Sequence, residues 1–287
     1  AQMSGNANGS TILIDPGKKS MPMLRTTFTT SESSVSKARL YVTARGIYDF
    51  YINGRRVGDD YFNPGLTQYD KTHLYQTFDV TDLIVSGKNA AGAVLAEGWW
   101  SGGSTYTGEY WNFFGDRQSL LAKLVITYTD GKQDVIVTEP SKWKYFDNGP
   151  VVYGSFFQGE VYDATKDKAV YDWSTASYDD KVWKSTVEHS LKGHVATSID
   201  DYANMSLRGQ IGEPVRKARE LKAISYDEVR PGVFVYDMGQ NFAGVPLISF
   251  TDTKPGQKIV MRYAEAKYPD LPAYKGHSGM VMMENIR

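Results

Sequence analysis

Apolar and polar residues alternate along most of the chain, and a period of two predicts strands rather than helices. Leu24–Thr30 alternates into a first strand, and Ala38–Ala44 and Ile47–Ile52 follow it. Asn53-Gly54 then supplies a two-residue turn signal, because both residues tolerate positive φ. His73–Val80 reads as a further strand, and Asn89–Ala96 as a small-residue strand central enough for neighbouring backbones to approach. The clearest hairpin is Leu120–Thr129, Asp130-Gly131 and Gln133–Thr138, in which Leu121, Lys123, Val125 and Thr127 face away from Ala122, Leu124, Ile126 and Tyr128. Trp143–Phe146, Val151–Phe157 and Val161–Tyr162 add short strands. Strands at this spacing without intervening helices predict an antiparallel sandwich.

Three stretches break the pattern. Residues 1–20 are rich in Gly, Ser and Lys around Ile12–Ile14 and are expected to form a mobile lead-in. Residues 164–205 are dominated by Asp, Lys, Ser and Thr with isolated Trp173 and Trp183, and read as an irregular return segment closing a domain over 21–205. From Val215 the strands resume as Lys217–Ser225, Val233–Asp237, Val245–Thr251 and Lys258–Ala264, the last two joined at Pro255-Gly256. A sheet of four strands leaves one face unpaired, so 206–287 is expected to be the start of a second sandwich, packed on the first or incomplete.

Composition narrows the function. Net charge is −1 from 32 basic and 33 acidic residues, which gives no field to attract nucleic acid or an anionic membrane. Arg55-Arg56 and the dispersed Lys217, Arg219 and Lys222 are too scattered for a nucleic-acid stripe. The longest small-apolar stretch, Ala90–Ala96, is far short of the ~20 residues of a membrane span. With no cysteine, thiolate metal sites, disulfides and cysteine nucleophiles are excluded. The compartment stays open, with the periplasm or extracellular space favoured.

Aromatic residues make up 13% of the chain, led by 20 Tyr. They are densest just after the Asn89–Ala96 strand, where Glu97, Trp99, Trp100, Tyr106, Glu109, Tyr110 and Trp111 are the candidate site residues, followed by Phe113 and Phe114. Rings stack on the C–H faces of sugars while carboxylates accept their hydroxyls, so this Gly-rich loop has carbohydrate-binding chemistry. The same rings would equally plug the end of a sandwich or dock on another domain. The turn Phe62–Asp70, preceded by Asp59-Asp60, offers calcium-type oxygens but lacks EF-hand spacing and reads first as turn chemistry. No metal site and no cofactor is assigned. His73, His189, His194 and His277 sit in no catalytic context, no G-x-S-x-G elbow occurs, and Gly102-Gly103-Ser104 lacks the Lys and helix of a phosphate loop. No pair of carboxylates is singled out by spacing, so no catalytic residue is assigned.

Several motifs together resemble the N-terminal β-sandwich of bacterial α-L-rhamnosidases, glycoside hydrolase family 78. They include Ala38–Ala44 with Tyr48, Ile52–Gly58, Asn63–Asp70, Tyr75–Thr81 and Glu97–Trp100. Leu120–Gly131, Gly159–Ala164 and Tyr236–Gly244 continue in the same order, so the resemblance covers about residues 20–287. Leu66 departs from it, standing where the family usually carries Trp. The resemblance implies a jelly-roll-like (galactose-binding-like) sandwich followed by the opening of a second. It also implies a parent enzyme that releases terminal α-L-rhamnose with inversion from a C-terminal helical barrel, which this chain lacks. A related rhamnose-binding module holds calcium with an Asp-Asn pair where this chain has Arg45-Gly46, and that site is not carried over. The expectation is an ancillary, non-catalytic region that braces the missing catalytic domain and binds rhamnose-containing glycans or glycosides weakly. The alternatives are a stand-alone carbohydrate-binding module and a stand-alone hydrolase.

Overall fold

The computed structural model describes residues 20–103, 112–156, 159–188, 205–269, 271–276 and 280–282. Contacts divide them into one unit ending at Arg216 and another beginning at Lys217. The first unit opens with β1 (Met23–Thr29), β2 (Val35–Arg45), β3 (Ile47–Ile52), β4 (Arg55–Arg56) and β5 (Asp60–Tyr61). It continues through β6 (Thr72–Asp79), β7 (Lys88–Ala96), β8 (Ser119–Tyr128), β9 (Gln133–Val137) and β10 (Lys144–Phe146). It ends with β11 (Val151–Ser155), β12 (Gly159–Tyr162), β13 (Lys184–Ser185), β14 (Ser206–Gly209) and β15 (Val215–Arg216).

Two sheets carry the core. One runs β13-β10-β1-β7-β3-β4, and the other β14-β6-β2-β8-β9. Pairing within them is antiparallel except for β14, which adds parallel to β6. Period-two alternation does the sorting. Leu40 and Val42 of β2 and Leu124 and Ile126 of β8 meet Phe50 and Ile52 of β3 and Ala93 and Leu95 of β7 in one buried cluster. The all-β sandwich read from the sequence is the observed architecture. Between β3 and β4 the two-residue turn Asn53-Gly54 has φ of 48° and 81°, as a primed hairpin turn requires.

Strand β7 is small-sided because it is covered on both faces. Ala91, Ala93 and Leu95 enter the sandwich core, while Val94 turns outward to a second apolar layer. Gly92 also lies beneath that layer: a Cβ there would stand 2.3 Å from the Leu24 carbonyl oxygen and 2.5 Å from the Trp173 ring. The outer layer is the segment expected to be an irregular return. Its described part carries a 3-10 stretch, Ala164–Val170, and packs Val170, Trp173, Tyr178 and Trp183 over Met23, Val94 and Phe146. Trp183 lies parallel to both Phe146 and Trp173, at 5.4 and 6.0 Å.

The second unit contains the hairpin β16 (Ser225–Arg230) and β17 (Val233–Asp237), turning at Pro231-Gly232. Tyr226 stacks on Tyr236 at 5.6 Å across it. Of the expected strand Lys217–Ser225 only Ser225 enters a ladder, and Val245–Thr251 and Lys258–Ala264 have strand-like alternation but no ladder among the described residues. Alternation alone does not make a strand, since its N–H and C=O groups must find a partner edge. Leu247, Phe250, Ile259, Met261 and Tyr263 remain exposed on these segments.

Candidate functional site

The site begins where β7 ends. Glu97 follows Ala96, and the chain turns through Gly98 at φ 61° so that Trp99 and Trp100 point into different surroundings. Trp100 is 3% exposed and Trp99 is only partly buried. The loop is closed at its neck by reciprocal bonds: the Gly102 N–H donates to Asn112 Oδ1 and the Asn112 N–H donates to the Gly102 carbonyl, both at 2.7 Å. Gly102 adopts φ 74°, a conformation that favours glycine, and a Cβ there would also displace the Glu97 carboxylate, standing 1.9 Å from its Oε2. Tyr106, Glu109, Tyr110 and Trp111 come between Gly102 and Asn112 in the sequence and lie outside the described residues.

Beneath the neck is a buried polar-aromatic cluster. The Trp100 indole N–H donates to the Arg117 carbonyl at 3.0 Å, and the Arg45 guanidinium lies 4.9 Å from the indole centroid. Tyr69, fully buried, stands 5.7 Å from Trp100 and stacks on His73 at 4.9 Å. Glu97 is 4% exposed and accepts from the Tyr153 hydroxyl at 3.1 Å. Burial and the adjoining Glu97 carboxylate raise the Tyr153 phenol well above its ordinary value. Glu97 and Trp100 thus act through packing and internal hydrogen bonds, and neither presents a free face.

His73 is the titrating member. Its Nε2–H donates to the Ala44 carbonyl at 2.8 Å, while Nδ1 is buried with no hydrogen-bond partner among the described residues. Burial, with a smaller push from Arg45, lowers its pKa, against the opposing bond to Ala44. The folded chain therefore keeps the ring neutral where the unfolded chain protonates it, near about pH 6.5. Its stabilising contribution is complete above that pH and is lost as the pH falls below it. Unfolding midpoints measured from about pH 7.5 to 5 should fall more steeply for the wild type than for His73→Gln. Parallel slopes would remove His73 from the account.

Above the cluster lies a row of partly exposed rings. Trp99 meets Phe156 at 4.2 Å, Phe156 meets Phe62 edge-on at 4.9 Å, and Phe62 meets Tyr61 at 6.2 Å. Phe62 and Phe156 come from other loops; neither is among the candidate site residues read from the sequence, which weighed Phe62 only as the start of the turn Phe62–Asp70. The only hint in the sequence was their aromatic type at strand ends. Phe62 adopts φ 61°, an uncommon conformation for an aromatic residue. The Asp59-Asp60 pair beside this row is engaged by Arg216, at 2.8 and 3.1 Å. That salt-bridged pairing gives the acidic turn a structural role.

The family profile described as "Alpha-L-rhamnosidase N-terminal domain" matches residues 33–218, and "Bacterial alpha-L-rhamnosidase concanavalin-like domain" matches 227–287. An α-L-rhamnosidase of Streptomyces avermitilis is 36% identical over 261 residues, covering 91% of this chain and 24% of its own length. One from an Alteromonas species is 37% identical over 244 residues, covering 85% of this chain and 25% of its own length. The chain therefore spans about a quarter of these relatives. The crystal structure of the Streptomyces avermitilis enzyme complexed with L-rhamnose superposes with a TM-score of 0.69 at 38% identity. That superposition covers 78% of this chain and 20% of the other.

Proposed function

The chain belongs to the α-L-rhamnosidase family as its N-terminal, non-catalytic region, and from that membership we propose that it braces a catalytic domain and contributes a weak carbohydrate contact. The parent protein would release terminal α-L-rhamnose with inversion. That chemistry uses one carboxylic acid to protonate the leaving oxygen and a second carboxylate to activate water from the opposite face. In this reading both belong to the remainder of the parent. The described second unit is the opening of a further β-sandwich, and its exposed alternating apolar side chains are the positions that additional strands would cover.

The observation that carries the reading is the row Trp99, Phe156, Phe62 and Tyr61. It is a contiguous set of partly exposed rings beside a buried cluster, at the loop end of a sandwich. Rings placed in this way offer flat apolar faces to a sugar or to a docked domain. A stand-alone carbohydrate-binding module is the second reading, and the same rings support it.

Trp99 separates the two roles. Titration calorimetry with rhamnose-containing oligosaccharides should show Trp99→Ala weakening binding by about 1–3 kcal/mol, as loss of a stacking ring does elsewhere. Unchanged affinity would leave the row as a docking surface only.

A further inference from the structure

A cleft of about 410 Å³ opens on the outer layer of the first unit and shares no lining residue with the ring row around Trp99. This volume is within the roughly 300–1,000 Å³ usual for small-molecule sites. Met21, Met23 and Val94 line it, with Trp173 held among Tyr51 and Trp183. Tyr162 and Tyr171 also line it, and they are 53% and 75% exposed, unusually open for such large rings.

Two carboxylates complete the lining. Asp167 accepts from the Tyr162 hydroxyl at 2.6 Å through Oδ1, which fixes ring and carboxylate together. Asp172 sits at φ 57° in a turn closed by the Thr175 N–H, and no hydrogen bond to its carboxylate occurs among the described residues. Phosphates and uronates would be repelled by this pair. A purely apolar ligand would strip water from the carboxylates without replacing its hydrogen bonds. A ligand with one apolar face and several hydroxyls satisfies both features of the lining.

We propose that this cleft, built from Tyr162, Tyr171, Asp167 and Asp172 over a methionine floor, binds a neutral pyranose ring. The tyrosine rings would take the C–H face and the carboxylates would accept hydroxyl protons. The cleft shares no lining residue with the Trp99 ring row, and binding at either can fail without the other.

The test uses the chain labelled with ¹³C at the methionine methyls, with Met21 and Met23 assigned by single Met→Leu variants. Methyl α-L-rhamnopyranoside and methyl α-D-glucopyranoside are titrated to tens of millimolar, and tetramethylammonium is titrated separately. At least one pyranoside should shift the Met21 and Met23 methyls saturably. Tyr171→Ala should weaken that response about tenfold, as loss of one ring contact does. Asp172→Asn should also weaken it, and Trp99→Ala should leave it unchanged. Tyr171 and Asp172 are exposed, so neither substitution opens the core. Absence of any sugar response at these methyls, a response to tetramethylammonium alone, or sensitivity to Trp99→Ala but not Tyr171→Ala would each overturn the assignment.

Discussion

Asp180→Ala is expected to destabilise the first unit by about 3 kcal/mol, the lower end of the range for stripping a buried charge of its partner. Arg25 lies on β1 with its side chain 1% exposed, between the sandwich and its outer layer. Its Nε donates to the Trp173 carbonyl and Nη2 to the Thr175 carbonyl, each at 2.9 Å. Nη1 pairs with Asp180, and the guanidinium lies 5.4 Å from the Tyr178 ring and 6.0 Å from that of Trp183. Removing Asp180 leaves the cation in place, desolvated and bonded only to carbonyls. Lys144 also reaches Asp180, at 2.7 Å, but its side chain is 42% exposed. Lys144→Ala should therefore cost only about 0–1 kcal/mol. All six tryptophans precede Arg216, so urea unfolding followed by indole fluorescence reports on this unit. Equal, small losses for both variants would mean that the return segment is not pinned by Arg25.

Trp100→Ala should cost about 3–5 kcal/mol of stability, as removal of a large ring from a filled site does. The ring is shut in by Tyr69, His73 and Phe114, with Arg45 over one face and its N–H spent on Arg117. Truncation opens a cavity and also leaves Arg45 without its ring. Trp99→Ala should cost far less, because its ring is already partly in water. Scanning calorimetry of the two variants distinguishes the positions. A stable Trp100→Ala protein that bound sugar poorly would instead make Trp100 a ligand-facing ring.

Much of the sandwich was legible because the long strands other than β7 largely alternate between a buried face and one turned to water. The Leu120–Thr138 hairpin and the Asn53-Gly54 turn need only local information, namely alternation and residues that accept positive φ. The outer layer was not legible. Trp173 and Trp183 have no periodic neighbours, and the Arg25 that organises them lies 148 positions before Trp173. At the site, the density of rings after Ala96 was visible, but which of them remained exposed was not. Trp99 and Trp100 are adjacent in sequence and differ through Tyr69 and Phe156, which other loops deliver, and through Phe114 from the far end of their own loop. In the second unit the alternation of Val245–Thr251 and Lys258–Ala264 was real, yet strands also require edges to pair with.

The proposed role makes the described residues β scaffold and leaves glycoside cleavage to other parts of the parent protein. Incubating the purified chain with an aryl α-L-rhamnopyranoside tests it most directly. No aglycone release above the uncatalysed rate is the expected result; saturable turnover that persists through repurification and disappears on changing a carboxylate of this chain would contradict it.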